Sequence, residues 1–139
     1  MAKNVAEQLV DTLEKAGVKR IYAVTGDSLN EVNEAVRKNG KIKWIHVRHE
    51  ETGAYAAAAE AQLNGELACC AGSSGPGHVH LINGLYDAQR SGAPVLAIAS
   101  TLPTHEFGTE YFQETNTIKL FEDCSYYNQV ATTPEQFPR

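Results

Sequence analysis

Residues 67–78 read LACCAGSSGPGH and predict a strand, a tight turn and the start of a helix. Residues 67–71 form a continuous apolar run, and a glycine-rich sequence follows at 72–77 directly before a helical segment. A strand covered on both faces is apolar throughout, whereas a strand with one wet face alternates between apolar and polar residues. The order of strand, glycine turn and helix therefore predicts a parallel sheet with helices on both sides.

The same alternation extends along the whole chain. Apolar runs at 21–25, 42–47, 67–71 and 94–100 predict strands, and segments at 4–17, 28–40, 51–63 and 78–90 predict helices. A fifth strand is predicted at 126–131, and Thr133-Pro134 has the N-cap and proline of a further helix start. We expect an α/β fold with a doubly wound, mostly parallel sheet. Because that last helix starts only about one turn before Arg139, we expect a single domain over 1–139 that is truncated at its C-terminal end.

Composition and charge exclude several classes of function. A chain of 139 residues is too short for a cofactor domain plus a substrate domain. It carries 12 basic and 17 acidic residues, a net charge of -5, so we expect no nucleic-acid partner. Cys69 and Cys70 are adjacent within an apolar run, which favours buried thiols in a reducing compartment. No apolar run approaches the 18 or so residues of a membrane span, and the cytoplasm is the expected location.

Ligands of doubly wound sheets bind beyond the carboxyl ends of the strands, which directs attention to Glu50. It begins a helix face that continues with the small residues Gly53, Ala54, Ala57 and Ala61. Two interpretations are open. The carboxylate stabilises the helix N-terminus through the macrodipole, or it is a buried carboxyl that shares a proton with a ligand.

The glycine-rich turn at 72–77 also has two interpretations. It lacks the glycine order of a dinucleotide fingerprint and the ending of a phosphate loop, so it is a plain tight turn or a place where a ring approaches the backbone. His78 and His80 lie two residues apart on the expected helix, and His46 and His49 lie across a strand-to-helix junction. Neither pair has good ligand spacing, and we expect no metal site.

Six motifs, taken in order, resemble the thiamine-diphosphate-dependent enzymes of the pyruvate oxidase, pyruvate dehydrogenase (quinone) and acetolactate synthase group. They are VTGDSLN at 24–30, RHEE at 48–51, GSSGPG at 72–77, HLINGLYDA at 80–88, PVLAI at 94–98 and YFQET at 111–115. The resemblance covers essentially the whole chain and lies in the N-terminal pyrimidine-binding domain of these enzymes. GDSL and HLINGL resemble the two pyruvate enzymes more closely, since acetolactate synthases usually carry Ala-Thr-Asn at the positions of residues 78–80.

The resemblance implies a role for ten residues. Glu50 would hydrogen-bond the N1′ atom of the cofactor's aminopyrimidine ring and favour the tautomer that deprotonates thiazolium C2 to the ylid. Gly53 and Ala54 would leave room for that ring. The other implied residues are Gly26, Ser73, Pro76, His80 and Asn83 for cofactor binding, and Phe112 and Gln113 for facing the substrate.

The implied activity is oxidative decarboxylation of pyruvate, with FAD passing electrons to a quinone or to oxygen. In similar enzymes Mg²⁺ and FAD are held by diphosphate-binding and flavin domains that this chain lacks, so we expect the chain alone to be inactive. The parent enzyme would be a homodimer or homotetramer, and some relatives contact the membrane through a C-terminal segment. Three alternatives stay open: an acetolactate synthase-like enzyme, a separate α subunit of a 2-oxoacid decarboxylase, and a non-catalytic interaction module.

Overall fold

Strands and helices alternate in the order that the sequence predicts. The computed structural model describes residues 3–137. Its helices are α1 (Val5–Lys15), α2 (Asn30–Asn39), α3 (Glu50–Asn64), α4 (Pro76–Val79), α5 (Ile82–Arg90) and α6 (Thr117–Phe121). Its strands are β1 (Arg20–Ala23), β2 (Lys43–His46), β3 (Ala68–Gly72) and β4 (Val95–Ala99), and short 3-10 turns lie at Asp27–Leu29, Thr104–Glu106 and Pro134–Gln136.

The four strands of the described chain form one parallel sheet in the order β2-β1-β3-β4. The chain moves outward from β1 to β2 on one side and from β3 to β4 on the other, so the strand order reverses between β1 and β3. Every residue of β3 is buried, as its uninterrupted apolar run predicts. The doubly wound α/β fold is confirmed, and its reversal point is where such sheets bind ligands.

Helices cover both faces of the sheet, and two apolar clusters form the core. Cys69 packs on the α1 and α2 side, while the adjacent Cys70 packs on the α3 and α5 side. Burial raises the pKa of the Cys70 thiol to about 12 and that of Cys69 well above its ordinary value. Both thiols are free, as expected of buried cysteines. Within residues 3–137, no helix combines the length and apolarity that crossing a bilayer requires.

The structure corrects two expectations. The fifth strand predicted at 126–131 is wrong: Tyr126 and Tyr127 are exposed, and Asn128 donates to the carbonyls of Thr117 and Ile118, which ties the segment to α6 instead of to β4. The helix predicted at 78–90 is interrupted between α4 and α5. There the N–H of Leu81 bonds the carbonyl of His78 only three residues back, at 3.2 Å. The start predicted at Thr133 exists as a 3-10 turn with a capping box.

Candidate functional site

The loops that leave β1, β3 and β4 meet in a cluster of four serines at the carboxyl edge of the sheet. The Ser28 hydroxyl lies 2.9 Å from that of Ser73 and 2.7 Å from that of Ser100, and it accepts the N–H of Ser74 at 2.8 Å. We call Ser28, Ser73, Ser74 and Ser100 the serine cluster. It lies across the reversal point of the sheet, so the loops expected to form the site do converge there.

Gly26 lies directly against Ser73. A Cβ atom built on Gly26 would stand 2.4 Å from both Cβ and Oγ of Ser73, far inside van der Waals contact. The β1 loop can therefore reach the serine cluster only because residue 26 has no side chain. This contact joins two of the residues that the sequence assigns to cofactor binding.

Glu50 is the first residue of α3, after His49 as N-cap, and its side chain is only 12% exposed. Its Oε2 lies 3.0 Å from Nδ1 of His80. Its Oε1 faces the glycine-rich turn, where a Cβ on Gly77 would stand 3.4 Å away. Glu50 thus occupies a helix N-terminus and also points into a confined space beside the turn.

Two histidine rings, those of His49 and His80, lie near the Glu50 carboxyl. The His49 and His80 rings stack with their centroids 4.3 Å apart, and one ligand atom from each of His49, Glu50 and His80 lies within 4.8 Å of the others. Such a set can hold a divalent cation, although Nδ1 of each ring already bonds within the protein. The sequence expectation of no metal site considered other pairs. It missed this cluster because α3 and the α4–α5 junction contribute separately.

A second contact, between α3 and α5, joins the side chains of Glu51 and Asn83. The Asn83 side chain donates from Nδ2 to Oε1 of Glu51 at 2.8 Å. The sequence assigns no separate role to Glu51, yet its side chain bonds Asn83, one of the expected cofactor-binding residues. The adjacent pair in RHEE was the available signal. Pro76 is the first residue of α4 and is exposed.

Gln113 approaches the other side of the glycine-rich turn. Ser74 Oγ donates to Gln113 Oε1 at 3.3 Å, and a Cβ on Gly75 would stand 2.8 Å from Cβ of Gln113. Phe112 lies beside Gln113 with 76% of its surface exposed. The structure therefore places Gln113 at the serine cluster and leaves Phe112 free to contact something outside it.

His78 is fully buried beneath the turn, a position that sequence reasoning did not assign. Its Nδ1 lies 2.9 Å from the carbonyl oxygen of Ser100, and its Nε2 bonds the Thr115 hydroxyl. Burial lowers the pKa of the imidazole, and the hydrogen bond to the Ser100 carbonyl offsets part of this effect. Both partners are distant in sequence, so no local sequence pattern predicts these contacts.

The small residues on α3 do not provide space for a ring, and that expectation is wrong. A Cβ on Gly53 would stand 3.0 Å from the carbonyl oxygen of Tyr22 in β1, and Ala54 is fully buried against Gly84 of α5. Gly53 and Ala54 thus let α3 pack closely on the sheet and on α5. Gly77 likewise serves close approach: a Cβ there would stand 3.1 Å from Cβ of Ser73 and 3.4 Å from Oε1 of Glu50, so the turn lies directly against the carboxyl.

Comparison with known proteins identifies the class. Residues 3–120 match the family model of the thiamine pyrophosphate enzymes, N-terminal TPP binding domain. The chain belongs to this family.

Relatives agree with that class. An uncharacterized 42.6 kDa protein in the isoamylase 3' region of Pseudomonas amyloderamosa is 58% identical, over 96% of this chain and 34% of its own length. A putative thiamine pyrophosphate-containing protein, YdaP, of Bacillus subtilis is 44% identical over 98% of this chain and 24% of its own length. Pyruvate oxidase of Lactiplantibacillus plantarum is 40% identical over 94% of this chain and 22% of its own length.

Plant acetolactate synthases also match, at 32–33% identity. The chain spans between 34% and 20% of the length of these curated relatives.

Proposed function

We propose that this chain forms the pyrimidine-binding half of the thiamine diphosphate site in an enzyme that oxidatively decarboxylates pyruvate. The observation that carries the proposal is the placement of Glu50. In a domain of the thiamine pyrophosphate enzyme family, a carboxyl only 12% exposed faces a glycine-rich turn at the reversal point of the sheet. A carboxyl in such a place can share a proton with a ring nitrogen.

The residues around Glu50 fit an aminopyrimidine ring. Oε2 is engaged by His80, whereas Oε1 faces Gly77, whose missing Cβ leaves this carboxyl oxygen uncovered by a side chain on the turn side. When bound, thiamine diphosphate supplies the nucleophilic carbon that attacks the keto carbon of a 2-oxo acid. In this proposal Glu50 holds and returns the proton at the ring nitrogen, and His80 fixes the orientation of its carboxyl.

The other proposed site residues act by position. Gly26 and Ser73 keep the β1 and β3 loops in contact, and Pro76 begins the helix beside the cofactor. Asn83 holds the Glu51 side chain in place through its hydrogen bond to Oε1. Phe112 and Gln113 face the substrate carbon, since one is exposed and the other is held at the serine cluster.

The pyruvate specificity and the partner domains belong to the proposal as well. Support for pyruvate comes from the 40% identity to a pyruvate oxidase. Mg²⁺ and the diphosphate group would be held by a diphosphate-binding domain, and FAD by a flavin domain, in a homodimer or homotetramer. Quinone or oxygen would accept the electrons.

Acetolactate synthesis is the second candidate, because plant acetolactate synthases match over 96% of this chain. Both candidates share the role of Glu50 and differ in what becomes of the two-carbon fragment. Product analysis with pyruvate separates them: acetate or acetyl phosphate formed with an electron acceptor supports the first, and acetolactate supports the second.

Glu50→Gln in the assembled holoenzyme tests the site. The amide keeps the shape but cannot exchange a proton, so we expect hydrogen exchange at the cofactor's C2 to slow by about 10²–10⁴-fold. Glu66→Gln is the matched control, because that carboxylate is 57% exposed and pairs only with Lys19 among the contacts of the described chain. Unchanged C2 exchange in Glu50→Gln would refute the assignment.

A further inference from the structure

Burial lowers the pKa of His78 and favours the neutral imidazole, and one tautomer of that neutral ring suits both of its partners. A carbonyl oxygen only accepts, so Nδ1, 2.9 Å from the oxygen of Ser100, carries the proton. Nε2 is then the acceptor for the Thr115 hydroxyl. The ring is fully buried, with Phe121 edge-on at a centroid distance of 5.9 Å. His78 therefore joins the end of β4 to the segment at 111–115 through a neutral, desolvated ring.

The segment at 111–115 is attached to the glycine-rich turn at two points. Gln113 accepts from Ser74, and Thr115 donates to His78. Gln113 has a positive φ of 65°, an arrangement that an isolated non-glycine residue rarely adopts. Directly before these anchors, Tyr111 and Phe112 are 53% and 76% exposed. Anchored polar residues thus present exposed rings at a fixed place.

The two sides of the turn have separate neighbours. Gly77 faces Glu50, whereas Gly75 faces Gln113. His78 reaches the Gln113 side through Thr115, and its ring contacts neither Glu50 nor His80 among the hydrogen bonds and ring contacts of residues 3–137. Loss of the Thr115 bond should therefore loosen the segment at 111–115 and leave the Glu50 side in place.

We propose that His78 is a positioning residue that holds Phe112 and Gln113 at the substrate through its bond to Thr115, and so sets how tightly a small 2-oxo acid is bound. The inference rests on the proposed function, because it takes these two residues to face the substrate. His78 acts on their placement and not on the reacting atoms.

Thr115→Val tests the proposal in the holoenzyme, since valine keeps the shape and removes only the hydroxyl. One neutral hydrogen bond contributes about fivefold in an equilibrium. We expect backbone hydrogen exchange over residues 108–116 to rise about fivefold and KM for pyruvate to rise by a similar factor. The rate of C2 exchange and kcat should change much less. Thr115→Ser keeps the hydroxyl and should restore the wild-type backbone exchange over 108–116 and the wild-type KM.

Thr109→Val is the matched control, because its hydroxyl bonds the Glu106 carbonyl at 2.7 Å in the same loop without involving His78. His78→Gln combined with Thr115→Val should add little to the rise in KM seen in Thr115→Val alone, although it also removes the imidazole from the Ser100 carbonyl. Unchanged exchange over 108–116 overturns the anchoring. Raised exchange with unchanged KM in Thr115→Val overturns the positioning role. A KM that rises equally in Thr109→Val and Thr115→Val also overturns it. Failure of the proposed function is distinguishable, since it appears as unaltered C2 exchange in Glu50→Gln.

Discussion

Gly84→Ala tests whether the small residues of α3 serve helix packing. A Cβ on Gly84 would stand 2.4 Å from Cβ of Ala54, 2.7 Å from the Tyr55 nitrogen and 2.8 Å from the Ala54 carbonyl carbon. Carbon atoms normally pack at about 3.5–4.0 Å, so the overlap exceeds about 1 Å. Two of the three atoms are backbone, and relief requires α5 to move away from α3.

The expected free-energy change combines two opposing effects. Overpacking of a tight core destabilises by about 1–3 kcal/mol, and the severity here places it near the upper value. Replacing glycine by alanine within a helix stabilises by about 1 kcal/mol. We therefore expect Gly84→Ala to lower the free energy of unfolding by about 1–2 kcal/mol, which moves the urea midpoint down by about 0.5–1 M at an m-value near 2 kcal/mol/M.

Urea unfolding followed by circular dichroism measures this shift. Asp87→Ala, at an exposed position of the same helix, is the control for propensity alone and should not lower the midpoint. Adding Ala54→Gly removes the 2.4 Å contact but not the two backbone contacts, so it should restore only part of the loss. A midpoint equal to or above that of the parent protein in Gly84→Ala would show that α3 and α5 are not closely packed there.

Two further predictions concern the turn. In Gly77→Ala the new Cβ stands 3.1 Å from Cβ of Ser73 and 3.4 Å from Oε1 of Glu50, so it covers that oxygen. We expect the unfolding midpoint to change little while the affinity for thiamine diphosphate, titrated by fluorescence into the assembled enzyme freed of cofactor, falls about tenfold. Retained affinity would contradict the role assigned to Oε1. Burial lowers the pKa of His78 below its ordinary 6.5. Around and below that pH the unfolded chain therefore binds more protons than the folded chain, and the free energy of unfolding should fall on acidification from about pH 7.5 to 5.5. His78→Gln should reduce this pH dependence of the urea midpoint, and an identical pH dependence would contradict it.

The sheet was predictable because its signals are local. The apolar run at 67–71 needs burial on both faces whatever surrounds it, and β3 has that burial. The run at 126–131, YYNQVA, combines aromatic and β-branched residues with polar ones, and it requires a neighbouring strand to pair with. Asn128 bonds instead to carbonyls of α6, a contact between positions ten and eleven residues apart. Composition alone carries no information about such a partner.

The candidate site was predictable in its loops and less so in its contacts. The rule on carboxyl strand ends placed Glu50 and the glycine-rich turn together correctly. The face shared by Glu50, Gly53 and Ala54 follows from helical periodicity, but periodicity does not say what the face contacts. His78 and Thr115 are 37 residues apart, and Ser28 and Ser100 are 72 apart, so their bonds depend on the complete sheet.

The three glycines of the turn explain why its order is G-x-x-G-x-G. A Cβ on Gly72 would stand 2.6 Å from Cα of His78, so this glycine permits the chain to reverse into α4. Gly75 admits Gln113 on one side, and Gly77 admits Glu50 on the other. One glycine thus serves the fold, and two serve opposite walls of the candidate site. Because the same short segment ends a central strand, the geometry that buries β3 also fixes the distance between the carboxyl proposed to share a proton and the amide proposed to face the substrate.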